Sequence, residues 1–174
     1  PGNAAIDDWV HKHAGMHMDY NGKLAIIGNV NEQIIAAMMK HKYFALYPPK
    51  STHREEFREK LEHLEGLSLE DGAATATAFV AESIAYSLLL YVPEIPKKVM
   101  VCGGGAKNPT LMRFLRQRLS NIEVCTAEDW GYHSEAVDVQ AIAYLAVRRL
   151  HFLPISFPTT TGVYEPMIGG KVVG

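Results

Sequence analysis

Apolar positions recur at helical spacing along most of this chain and form compact β-prone runs in only two places. Ile6, Trp9 and Val10 predict a helix led by Asn3, with Asp7 and Asp8 in a first turn where the helix dipole favours acids. Gly15 is expected to end it. After a loop at Asn21-Gly22, the spacing of Ile34, Ile35, Met38 and Met39 predicts a helix over residues 31–40, its methionines serving as core filler. An aromatic, proline-bearing connector follows. Thr52 and Glu55 then fit a capping box for a helix reaching residue 64. Ser68 opens the longest expected helix, residues 69–91, with Ala73, Thr77, Val80, Ile84, Leu88 and Tyr91 along one face. It reads as a core helix lying beside a sheet. Pro93 and Pro96 stop it.

The later pattern changes period. Residues 99–102 form a short apolar strand, and Gly103, Gly104 and Gly105 follow it directly. Asn108 is the expected cap of the next helix, with Pro109 at its first position and Leu111, Met112, Leu115 and Leu119 on its apolar side. A second strand is expected over residues 122–126, then an acidic turn, then a helix over residues 135–150. The tail, rich in Thr, Pro and Gly, predicts a loop and a short closing strand. Strands joined through helices indicate an α/β layered core with a short parallel sheet and flanking helices. Residues 1–66 read as a mostly helical part packed to one side, and residues 67–174 as the α/β core.

Composition narrows the classes. With 174 residues, 48% of them hydrophobic, the chain suits one domain with a sizeable core, or one lobe of a larger molecule. Its 17 basic and 19 acidic residues leave a net charge of −2, scattered rather than striped, which offers no field for nucleic acid. The longest apolar stretch, residues 79–92, is broken by Glu82 and small polar residues, so no membrane span is expected. Cys102 and Cys125 do not suggest a disulfide scaffold, and no signal peptide is visible, so a reducing cytoplasm is the expected compartment. The chain opens on Pro1, as if inside a motif, and a fragment is expected.

The candidate chemistry gathers at the glycines. A strand, a glycine turn and a helix start let backbone approach a ligand closely, and the helix start favours oxygen-rich or anionic groups. The alternative is a tight turn that binds nothing. Residues 103–110 do not supply a Walker loop. A dinucleotide fingerprint fits in part: Gly103 and Gly105 match, Asn108 replaces the third glycine, and Glu128 could stand in for the ribose-binding acid. An actin-like ATP fold, in which the turn packs backbone against adenosine, is the third option. Gly2 and Asn3 could face a phosphate or simply begin a helix. Lys50 and Arg54 could bind an anion or be a solvated pair, and Asp138 could be a solvated first-turn charge or a ligand group in a cleft. His11, His13 and His17 look like a metal cluster, but Gly15 interrupts the only helical pair and no carboxylate or cysteine completes a set; no metal site is expected there.

Cys102-Gly103-Gly104-Gly105-Ala106-Lys107-Asn108-Pro109 resembles the signature of the anhydro-N-acetylmuramic acid kinase family. Pro1-Gly2-Asn3 with Asp7 and Trp9, Pro49-Lys50-Ser51-Thr52 with Arg54 and Glu55, the AIAYLAVR stretch at residues 141–148, and Pro158-Thr159-Thr160-Thr161-Gly162 resemble further family motifs in the same order. The resemblance implies the C-terminal lobe of a sugar kinase of the actin- and hexokinase-like (ribonuclease H-like) ATPase fold. It implies ATP and Mg²⁺ as cofactors, an anhydro-amino-sugar as substrate, a missing N-terminal lobe as partner, and a possible homodimer. The implied reaction opens 1,6-anhydro-N-acetylmuramic acid with water and phosphorylates it to N-acetylmuramic acid 6-phosphate in peptidoglycan recycling. By the same resemblance Gly103, Gly104, Gly105, Ala106 and Asn108 would line the adenosine pocket, while Gly2 and Asn3 would meet the phosphates. The catalytic base would lie upstream of Pro1. Asp138 would be the substrate-side carboxylate, standing where the family usually has Glu, and His53 stands where it usually has Gly. The alternatives are an NAD-dependent oxidoreductase and a non-catalytic nucleotide-binding remnant.

Overall fold

A computed structural model describes residues 2–173, with Arg54 described by its backbone alone. Eight α-helices are described: α1 (Ala4–Ala14), α2 (Lys23–Ile27), α3 (Glu32–Met38), α4 (Lys42–Ala45), α5 (Leu69–Tyr91), α6 (Pro109–Arg118), α7 (Val137–Leu150) and α8 (Pro158–Thr161). Two strands accompany them, β1 (Lys98–Val101) and β2 (Glu123–Thr126). These pair in parallel, Lys98 opposite Glu123 through Val101 opposite Thr126, with α6 as the crossover that parallel strands require. The architecture is α/β, as the sequence predicts, with both strands near their expected positions.

Helix α5 is the wall on which the rest is built. Ser68 caps it as expected, its Oγ accepting from Asp71 N–H at 3.1 Å. The expected single apolar face is too narrow a description, because Gly72 through Ala81 are buried without interruption. The principal neighbours of α5 are helices, α1, α2, α3 and α6, and Val99, Val101 and Val124 of the strands share the same core. Small side chains make this possible, since Ala, Gly and Thr let several helices approach one axis. By length and hydropathy Leu69–Tyr91 could cross a membrane, yet most of it is buried inside the protein, the condition of a core helix. Trp9 seats its indole directly on Gly72, where any Cβ would overlap the ring, and its Nε1 donates to Leu69 O at 2.9 Å. Phe44, Phe57 and Phe79 close the other part of the core, with ring centroids 5.6–6.2 Å apart. Arg118 bridges three helices, donating to Glu32 of α3 at 2.8 Å and lying 3.0 Å from Glu82 of α5.

Several expectations need correction. The loop after Asn21-Gly22 is helix α2, and the connector after residue 41 contains α4. Thr52 caps nothing. Residues Arg54–Leu64 form a 3₁₀-helix, with His53 at its cap position and no side-chain bond there. Tertiary demands explain the tighter winding. Phe57 and Leu64 are both buried, and Glu56 lies within 3.6 Å of His41 and 3.4 Å of Lys42. A 3₁₀ segment, Ser134–Ala136, precedes α7. The tail forms α8 and a single antiparallel bridge, Ser156 with Met167, rather than a strand.

Candidate functional site

The glycine turn is shaped before any ligand is considered. Gly103 has φ +76°, a value that a side chain would strain, and its N–H donates to Ser134 O at 3.2 Å. Gly104–Lys107 then winds as a 3₁₀ turn, and α6 begins at Pro109, where the sequence predicts it. Asn108 Oδ1 accepts from Thr110 N–H and Leu111 N–H, each at 3.0 Å. The N-cap is therefore as predicted, and it has a chemical consequence: two of the first-turn donors of α6 are already satisfied. What remains is a wall of backbone without Cβ atoms rather than an open anion nest.

Asn3 meets this wall from the other end of the chain. It sits at the head of α1 but makes no side-chain cap bond. Its carboxamide instead lies along the glycines, so close that a Cβ on Gly105 would come 3.2 Å from Asn3 Oδ1. Asn3, Gly104 and Asn108 line one open cleft of about 380 Å³, together with Asp7, Tyr20 and Lys107. Gly2, at φ +60°, is exposed just before Asn3, and Pro1 lies outside the described residues. Gly103, Gly105 and Ala106 belong to the same turn without lining the cleft. The separated candidates at residues 2–3 and 103–108 thus come together, which the sequence alone could not show.

The electrostatics around the turn are mostly committed. Glu128 accepts from Ser134 N–H at 3.1 Å and Ser134 Oγ–H at 2.6 Å, and these bonds hold its carboxyl below the usual range. It is a brace for the segment leading into α7, so the sequence reading of Glu128 as a ribose-binding acid is not supported by its partners. Lys107 pairs with Glu135 at the cleft, raising the ammonium pKa and lowering the carboxyl. Asp19 spends both oxygens on Leu24 N–H and Ala25 N–H, at 2.9 and 3.0 Å.

Other candidates fall elsewhere. Asp138 is exposed in the first turn of α7 and does not line the cleft. Lys50 donates to Tyr43 O at 3.1 Å, with its ammonium 4.0 Å from the Tyr91 ring centroid, so it serves as an internal strut rather than a free anion site. Burial lowers its pKa. The side chain of Arg54 lies outside the described residues. The His13 ring packs on Trp9 and the His11 ring faces His17, and among the described residues no group of three His, Cys, Asp or Glu side chains is arranged to hold a metal ion. A second pocket, of about 350 Å³ and lined by Asp8, Lys12, Arg58 and Glu65, contains none of the predicted site residues.

Sequence reasoning missed Tyr20 and its turn. The Asn21-Gly22 dipeptide signals positive φ, found at 57° and 64°, but not what the turn packs against. Gly22 lies on Asn108 and Thr110, leaving no room for a Cβ, and Thr110 Oγ1–H donates to Gly22 O at 2.9 Å.

Comparison with known proteins gives consistent results. The family model described as anhydro-N-acetylmuramic acid kinase matches residues 1–173. A protein of that name from Zymomonas mobilis is 46% identical over 172 residues, 99% of this chain and 46% of the relative. Its namesake from Brucella anthropi is 44% identical over 174 residues, covering all of this chain and 46% of the relative. That from Rhodopseudomonas palustris strain BisB18 is 43% identical over 172 residues, 99% of this chain and 46% of the relative. The chain spans about half the length of the curated relatives it matches.

Proposed function

The chain belongs to the anhydro-N-acetylmuramic acid kinase family, and from that premise we propose that it is the C-terminal, nucleotide-holding lobe of an ATP-dependent sugar kinase in the cytoplasm. The proposed fold is that of the actin- and hexokinase-like ATPases. One observation carries the reading: the cleft where Asn3 lies against the Gly104–Gly105 backbone and beside Asn108. Backbone without Cβ atoms supplies a flat wall for adenosine. Asn3 supplies an amide that can both donate and accept toward ribose or phosphate oxygens. Gly2, exposed at positive φ, would extend that edge toward the phosphates.

The proposed reaction is hydrolytic opening of 1,6-anhydro-N-acetylmuramic acid with transfer of the ATP γ-phosphoryl group to the 6-oxygen. A carboxylate base would take a proton from the attacking water. The freed 6-oxygen would then displace ADP in line. We place that base outside this chain. Asp138 enters as the proposed sugar-side carboxylate. Magnesium commonly accompanies such transfers, but among the described residues no group of carboxylates and histidines makes a cage for it. Asp19 is bonded to two backbone donors and Glu135 to Lys107. No step is routed through the ion. The anhydro sugar, the preceding lobe and a second copy as homodimer are the proposed partners.

A kinase assay on the full-length protein with the anhydro sugar and ATP tests the reading. The expected outcome is stoichiometric ADP and 6-phosphorylated N-acetylmuramic acid. Asn3→Ala should raise the KM for ATP about tenfold, the loss of roughly one charge-assisted hydrogen bond. The isolated chain should bind adenine nucleotide weakly and turn nothing over. If the full-length protein leaves the anhydro sugar untouched, the assignment is lost.

A further inference from the structure

The cleft beside the glycine turn has one aromatic side chain among its described lining residues, and that is Tyr20. We propose that Tyr20 is the platform on which the base of the bound nucleotide stacks, and so a determinant of how tightly this protein holds nucleotide. The inference rests on the nucleotide reading of the same cleft and adds a residue to it. Tyr20 is 53% exposed and, among the described residues, makes no ring contact or side-chain hydrogen bond. A phenol left open in this way, in a cleft that also presents Ile6 and Met18, offers apolar area to a flat ligand. Met18, also half exposed, lines the same cleft and gives an adaptable thioether edge beside the ring.

Placement matters more than exposure. The residues flanking Tyr20 are fixed on both sides. Before it, both carboxylate oxygens of Asp19 hold the first N–H groups of α2, and Asp19 O accepts from Gly22 N–H at 3.0 Å. After it, Asn21 and Gly22 both adopt left-handed backbone, and Gly22 is locked to Thr110. Thr110 lies in the first turn of the helix that the glycine turn feeds. Tyr20 and Gly104 are therefore carried by one rigid assembly, although 84 residues separate them in sequence. The backbone that carries the ring is thus already in place, and only the side-chain rotamer has to be ordered on stacking.

The test is calorimetric titration of the full-length protein with two probes, ATP and inorganic tripolyphosphate. Removing a base-stacking aromatic typically weakens binding measurably, and for a ring that is half exposed the expected loss is about tenfold. Tyr20→Ala should lose that factor for ATP and less than about twofold for tripolyphosphate, which has no base to stack. Tyr20→Phe should bind ATP like the wild type, since it keeps the ring. Equal losses for both probes would mean general damage to the loop and would overturn the proposal, as would a Phe variant as weak as the Ala variant. If Asn3→Ala weakens ATP binding while Tyr20→Ala does not, the platform is refuted and the nucleotide site stands. If neither substitution affects ATP binding, both readings fail together.

Discussion

Gly72 shows how a single position can reverse a general rule. Replacing a glycine inside a helix by alanine normally stabilises by about 1 kcal/mol, through backbone entropy. Here the Trp9 indole occupies the space a Cβ would need, so Gly72→Ala forces that ring, or α1 as a whole, away from α5. Overpacking of this kind costs about 1–3 kcal/mol. Gly72→Ala should therefore lower the urea midpoint, whereas a solvent-facing helix glycine would raise it. Gly22 belongs to the same class, with positive φ in addition. Neither close approach can be read from the sequence, because the neighbours lie 63 and 86 or more positions away. A glycine within an apolar helical pattern signals that something approaches, but not what.

Among the elements, α4 carries a pH dependence of its own. His41 accepts from Tyr43 N–H through Nδ1 at 3.3 Å, a bond available only to the neutral ring. Burial lowers its pKa below the usual histidine value, with Glu56 pulling the other way. The unfolded chain thus takes up a proton more readily than the folded one, and stability falls as pH drops through about 6.5 toward the lower folded value. His41→Ala should cost about 1 kcal/mol at pH 7.5, the usual size of a lost cap, and less at pH 5.5. Urea midpoints at the two pH values check this; a constant difference would mean that the ring does not titrate in that window. Legibility followed element length. The 23-residue α5 and its Ser68 cap were readable, as was the Asn108-Pro109 start of α6, because local chemistry alone specifies them. The five-residue α2 and four-residue α4 were not, since elements that short are held by contacts such as Asp19 and His41 rather than by periodicity. The capping box at Thr52 misled for the same reason: burial of Phe57 and Leu64 took precedence over a local signal.

Across the whole molecule the candidate site is a long-range construction. Each of its parts could be seen in the sequence as a turn or a cap, but the cleft exists only because α1 and the turn before α2 both pack around α5 and α6. Packing is uneven beyond it. Helix α7 has no buried residue, and Val139 and Ile142 are each 66% exposed, in a chain that covers about half of its relatives' length. Stability is therefore concentrated in α5 and its neighbours. The uninterrupted burial of Gly72 through Ala81 has a consequence for the timescale on which the protein breathes. Helices α1, α2, α3 and α6 all pack on α5, so when one of them lifts away alone the other three still hold that helix, and the amides of residues 76–81 stay protected. Their deuterium uptake should report global unfolding and nothing smaller, while amides of α7 exchange orders of magnitude sooner through separate fluctuations. Residues 76–81 would then give the free energy of the whole fold directly, under native conditions and without denaturant.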